Sequence, residues 1–228
     1  MTRLARVLPL FLLGLSLGAC SDDSGADAAP VFDAGPDAAP VPTGNTAGDV
    51  YVGAAQFAAW EFADPVLVNI QGSHLSAGGG EYNPPDVQSD WSYLFLSPSE
   101  SKSLTVMWYR SKWNFSRAAL DPSSVRPITI TDWIDSDEAV ALMTAHGYTA
   151  PDPADSTYYV EGKLAMYSGA SPDFAALSQP IWQFTKIHKV GATTTSETWW
   201  VIPYPEGTPP GTIICSGPDY QTLTCNVY

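Results

Sequence analysis

Positive charge, histidine and cysteine are all scarce in this chain: 228 residues hold 10 Lys and Arg against 24 Asp and Glu, with three histidines and three cysteines. The acid excess, a formal charge of −14, opposes polyanion binding and removes nucleic acid from the list of partners. His74, His146 and His188 stand far apart, with no pair at i,i+4 and no H-E-x-x-H run, so no metal centre is expected. A G-x-S-x-G elbow, a Walker-type loop and a G-x-G-x-x-G turn are also missing. Gly78-Gly79-Gly80 lacks the Lys-Ser or Lys-Thr that would cradle phosphate, and reads as a loop. The chain is therefore read as non-catalytic and without cofactor. Its leading apolar run, residues 7–17, is too short to span a bilayer as a mature helix.

What that run does fit is an export signal. Arg3 and Arg6 precede it and Leu17-Gly18-Ala19-Cys20 closes it. The tetrad resembles the bacterial lipobox, which implies acylation of Cys20, removal of residues 1–19 and attachment to the cell envelope at the outer membrane. Residues 20–44 are built from Ala, Asp, Pro, Gly and Ser, and cannot bury enough apolar surface to offset their ordering entropy. They are expected to form a disordered tether between membrane and folded body.

From residue 45 onward the composition changes, and all eight tryptophans fall in this part. Cys215 and Cys225 flank Gly217-Pro218-Asp219, turn chemistry that suits a disulfide-stapled terminal hairpin; free thiols or a metal site are the alternatives. Helical spacing of Val50, Ala54, Phe57, Ala58 and Glu61 predicts a helix over 47–62, stopped at Asp64-Pro65. A second helix is marked by Asp135, Glu138 three residues on, good formers at 139–145 and Gly147 as the stop. Capping, rather than calcium or acid catalysis, accounts for Asp135, Asp137 and Glu138. Strands are predicted at 66–71, 91–97, 104–110, 158–167, 181–188, 198–204, 212–215 and 222–228. The order of parts is the same in both halves, so the expected architecture is α+β, with helix-plus-antiparallel-sheet units at 45–130 and 131–228 packed as an internal repeat.

Two features point to binding. Trp199 and Trp200 are adjacent, and strand neighbours face opposite ways, so either one of them lies at the surface or the two faces are covered, by a helix on one side and a loop or sister unit on the other. With Trp108, Trp113 and Arg110 they form the candidate binding surface, suited to a partner's apolar side chains or to sugar rings. Five of the ten Lys and Arg (Lys102, Arg110, Lys112, Arg117, Arg126) also fall in one stretch, as a local basic patch or as scattered solvated charges.

The run Ala63-Asp64-Pro65-Val66-Leu67-Val68-Asn69-Ile70, with Trp91-Ser92-Tyr93-Leu94-Phe95-Leu96-Ser97-Pro98, Leu104-Thr105-Val106, Trp133-Ile134-Asp135-Ser136-Asp137-Glu138-Ala139 and Pro180-Ile181-Trp182-Gln183-Phe184, resembles PepSY-type domains of exported bacterial proteins. The resemblance implies a helix packed on a small antiparallel sheet, in tandem, in a module that binds or restrains peptidases. It lacks the acidic residue and Thr-Gly turn that close such domains; Val201-Ile202-Pro203-Tyr204-Pro205-Glu206-Gly207-Thr208 stands there instead. The resulting reading is an envelope lipoprotein, membrane-attached through Cys20, that binds an envelope protein, with glycan binding through exposed tryptophans as the alternative.

Overall fold

A computed structural model describes residues 41–75, 90–129, 133–152, 154–166, 179–203, 212–218 and 222–228. The signal segment, Cys20, residues 20–40 of the tether and the Gly78–Gly80 loop lie outside the described residues, all of which belong to one compact unit. The elements run α1 (Ala47–Glu61), β1 (Val66–Ser73), β2 (Asp90–Ser97), β3 (Lys102–Tyr109), β4 (Lys112–Ala119), α2 (Ser136–Ala145), β5 (Tyr158–Met166), β6 (Pro180–Val190), β7 (Thr193–Ile202), β8 (Ile213–Gly217) and β9 (Thr224–Val227).

This architecture corrects the expected fold class. The nine strands form a single antiparallel sheet in the order β4-β3-β2-β1-β5-β6-β7-β8-β9, so the protein is β-rich with two short helices, and not a pair of helix-plus-sheet units. The merger happens at β1 and β5. Each opens its half of the sequence and would leave an exposed ladder if each half kept its own sheet; pairing them antiparallel removes both edges at once.

Register about this join is symmetric. Gln71 faces Lys163, Ile70 faces Leu164 and Gly72 faces Gly162. On one side Trp91 of β2 pairs with Gly72, and on the other Trp182 of β6 pairs with Leu164. The Trp91 indole donates to the Asn45 carbonyl and the Trp182 indole to the Ile134 carbonyl, both at 2.8 Å. Asn45 and Ile134 immediately precede the residues that cap α1 and α2. Each buried tryptophan thus pins the start of its helix to the sheet, and the two rings meet edge-on at 6.4 Å. Leu75 covers the centre of the join. A Cβ at Gly72 would lie 2.6 Å from the buried Trp91 ring and one at Gly162 2.6 Å from a Leu75 methyl, so a side chain at either position would push its neighbour aside.

The helices lie on one face of the sheet, α1 over β2 and β3 and α2 over β7, with their N-termini meeting. Two positive dipole ends in contact would repel; carboxylates offset this. Asp49 and Thr46 form the capping box of α1. Asp135, the N-cap of α2, accepts from Ser136 N–H and also reaches α1, accepting from Gly48 N–H at 2.8 Å and from the Thr46 hydroxyl. A Cβ at Gly48 would press on that carboxylate, so a side chain there would displace the cross-cap. Beneath the helices the core is Val50, Phe57, Ile70, Trp91, Tyr93, Phe95, Val106, Leu164, Trp182, Phe184, Trp199 and Val201. A smaller cluster of Ile181, Trp200, Ile202 and Cys215 lies on the opposite face, which Trp200 shares with its partner Cys215.

Candidate functional site: the β3–β4 edge

Burial changes the reading of the candidate binding surface. Trp108, Trp199 and Trp200 are 9, 6 and 6% exposed, and Trp113 is half-buried. Trp199 and Trp200 do face opposite sides of the sheet, but an apolar cluster receives each: Trp199 meets Tyr148 edge-on at 5.6 Å and Trp200 sits in the smaller cluster. Of the eight tryptophans only Trp60 is exposed, at 38%. Cys215 and Cys225 form the expected disulfide, which ties β9 to β8. Arg110, the remaining member, is exposed at a hairpin tip.

Two places on the described surface invite a ligand. The first is an open cleft of ≈ 510 Å³ beyond the end of α2, floored by Tyr158, Lys186, His188 and Glu197 and walled by Asp152 and Asp155. Its charged groups already have partners. Lys186 Nζ pairs with Glu197 and donates to the Thr149 carbonyl at 3.2 Å. Burial pushes the Glu197 carboxyl up, and hydrogen bonds from Lys186 and the Trp199 indole outweigh it, leaving the pKa below its ordinary value. Asp155 accepts from the Thr157 amide and hydroxyl, and Asp152 from the Ala154 amide. His188 lies flat on Tyr158 at 4.0 Å. Nearby, burial and then the Glu197 charge raise the Tyr148 hydroxyl to about 12, so it stays protonated at any physiological pH. Such a cleft holds itself together and leaves little for a ligand to satisfy.

The second place is the edge strand β4 with its hairpin. Arg110 and Ser111 have φ of 48° and 58°, the two positive values of a type I′ turn. That turn favours Asn-Gly; here two ordinary side chains are held in the left-handed region, which costs about 1–2 kcal/mol per residue. Tyr109 and Lys112 close the two-residue turn as a hydrogen-bonded pair, so the bonding alternates from there. Amides of Lys112, Asn114, Ser116 and Ala118 point to β3, a series continued by Leu120 N–H donating to the Ser101 carbonyl at 3.0 Å. Those of Trp113, Phe115 and Ala119 point away from it. No strand among the described residues lies on that side.

On the helix side of this edge, Phe57 of α1 packs against Phe115 at 4.5 Å and against Trp60 and Trp113 at 5.2 Å. The Trp113 indole N–H is buried without an acceptor. Arg117 holds Glu61 through two hydrogen bonds of 2.6 and 2.8 Å, which keep the Glu61 carboxyl below its ordinary pKa and fasten α1 to the edge. The basic stretch is concentrated here. Among residues 102–126 there are five Lys and Arg and a single acid, Asp121. Lys102 pairs with Glu100 and Arg117 with Glu61, while Arg110 and Lys112 at the tip face no carboxylate among the described residues. Arg110 instead lies 5.1 Å over the ring of Tyr109.

Sequence reasoning missed β4 altogether. Its one usable signal was the alternation of Trp113 and Phe115 after a two-residue gap from Tyr109, and the absence of Asn-Gly or Asp-Gly hid the turn. No protein-family model, no curated protein and no solved structure matches this chain.

Proposed function

We propose that this protein is a tethered, non-catalytic binding module of the cell envelope, attached through a lipid on Cys20 and docking a partner protein along the β4 edge. The lipobox-like tetrad and the Asp- and Pro-rich tether supply the address. The observation that carries the docking site is the length of the free edge: of the two terminal strands, β9 has four residues and is stapled to β8, whereas β4 has eight and is met on its outer side by no described strand. A bare eight-residue edge is normally blunted or used. The resemblance to PepSY-type modules makes a peptidase the first partner class to test. Glycan stacking is not carried forward, because Trp108, Trp199 and Trp200 are buried.

Site-specific photo-crosslinking in the native envelope tests this reading. A photoreactive residue at Ala119 is expected to give a defined adduct, and one at exposed Ala145 on α2 none. Silence at Ala119, or the same adducts from both positions, overturns the docking site. Mass spectrometry showing an unmodified Cys20 overturns the tether.

A further inference from the structure

Resting on that reading of the edge, we infer that the occupant of β4 is an extended polypeptide segment that runs antiparallel to it and carries carboxylates near its C-terminal end.

The direction follows from the way the sheet's two flanks correspond. β3 lies against β2 as β7 lies against β6, and β4 against β3 as β8 against β7. In registry, Trp91 faces Trp108 as Trp182 faces Val201, and Tyr93 faces Val106 as Phe184 faces Trp199. The outer side of β8 is filled by β9, antiparallel, with Cys215 opposite Cys225. The corresponding outer side of β4 is vacant among the described residues, and its outward amides at Trp113, Phe115 and Ala119 are set at strand spacing. An added strand meets main-chain donors and acceptors already aligned, so its backbone supplies affinity and its alternate side chains supply specificity.

The chemistry follows from the two sides of the edge. On the helix side the incoming strand meets Phe115 and the exposed Trp60, an apolar surface. On the other side it meets Lys112, Asn114, Ser116 and Ala118, all exposed. The cations without a described carboxylate, Arg110 and Lys112, sit where β4 begins. A strand antiparallel to β4 ends there. Its acidic side chains are therefore favoured at its C-terminal end, whereas Lys102 and Arg117 toward the other end already hold Glu100 and Glu61.

The test measures binding of three synthetic peptides to the full-length protein by tryptophan fluorescence. Each is acetylated and amidated and alternates valine with threonine; one has two glutamates replacing threonines at its C-terminal end, one has them at its N-terminal end, and one has lysines at the C-terminal end. The first is expected to bind about tenfold more tightly than either of the others at low salt. The gap should narrow at high salt. Lys112→Glu should reverse the preference in favour of the lysine peptide, and Ala119→Pro, which removes one outward amide, should weaken all three alike. Circular dichroism confirms that each variant is folded.

Equal binding by glutamate and lysine peptides, or no binding at all, overturns the charge assignment, and equal binding by the two glutamate peptides overturns the direction. Self-association of the protein that disappears in Ala119→Pro assigns the edge to a second copy and overturns the proposal. So does a cross-link from position 119 to the chain's own residues 21–43. Crosslinking of a partner at Ala119 together with indifferent peptides leaves the docking site standing and removes only this inference.

Discussion

The sheet ends in two ways. At one end the disulfide Cys215–Cys225 holds a short last strand, β9, over β8. At the other, β4 carries half of the chain's Lys and Arg in its neighbourhood, a turn with two residues at positive φ, and no described covering strand. Between them the arrangement is nearly the same on both sides of the β1/β5 join, down to the tryptophan that pins each helix start. The difference is one of length and hold: β9 is four residues long and fixed by a covalent staple, whereas β4 is eight residues long and held by its pairing with β3 and by the Arg117–Glu61 clamp.

Five measurements break or sharpen this comparison. The largest effect is expected at the shared middle: Trp91→Ala and Trp182→Ala should each lower stability by about 3–5 kcal/mol in urea unfolding, because each empties a buried indole site and releases a helix start. If one is tolerated and the other is not, the two sides are not equivalent. At the closed end, Cys215→Ser with Cys225→Ser should reduce stability by roughly 2–3 kcal/mol for a loop this short, as a shift in the denaturant midpoint. That double variant also releases β9 from its covalent hold on β8, seen as faster amide exchange in β8.

At the open end the sign reverses. Replacing Arg110-Ser111 by Asn-Gly should raise stability by about 1–2 kcal/mol, since both positions then accept positive φ at little cost. The same change should weaken docking, and a variant both more stable and equally adhesive would show that the tip does not take part. Trp113→Phe removes a buried donor that has no acceptor, so thermal unfolding should shift by less than 1 kcal/mol in equivalent stability despite the smaller ring.

The smallest effect belongs to the clamp between α1 and β4. Glu61 is lowered chiefly by its hydrogen bond from Arg117, so its contribution is present above the unfolded carboxylate pKa and is lost as pH falls through the lower folded value. Glu61→Gln should therefore cost about 0.5–1 kcal/mol at neutral pH and nothing once the pH is well below 4, read from midpoints across pH 7 to 3.

Much of this fold was legible in the residues. Asp64-Pro65 after α1, Asp135 before α2 and Gly147 after it, at φ 103°, are where local chemistry placed helix ends. Eight of nine strands were readable because their apolar residues alternate against turn signals. β4 was not, because Asn114, Ser116, Ala118 and Ala119 have low strand preference and become a strand only by pairing with β3. The candidate site suffered in the same way. Abundant tryptophan was a correct observation with an open destination: whether an indole faces solvent depends on which helix or cluster lies above it, a contact between residues dozens of positions apart.

By itself, the sequence determined both helices, the cap and stop of α2, the cysteine pair and the alternating strands, because each depends on neighbours within a few residues. Tertiary structure alone decided that β1 and β5 join two halves into one sheet, that Trp199 and Trp200 are both covered, and that Arg110 and Lys112 stand at the tip beside a terminal strand. Those outcomes come from long-range pairing and packing, where the free energy lies in surfaces brought together from distant parts of the chain.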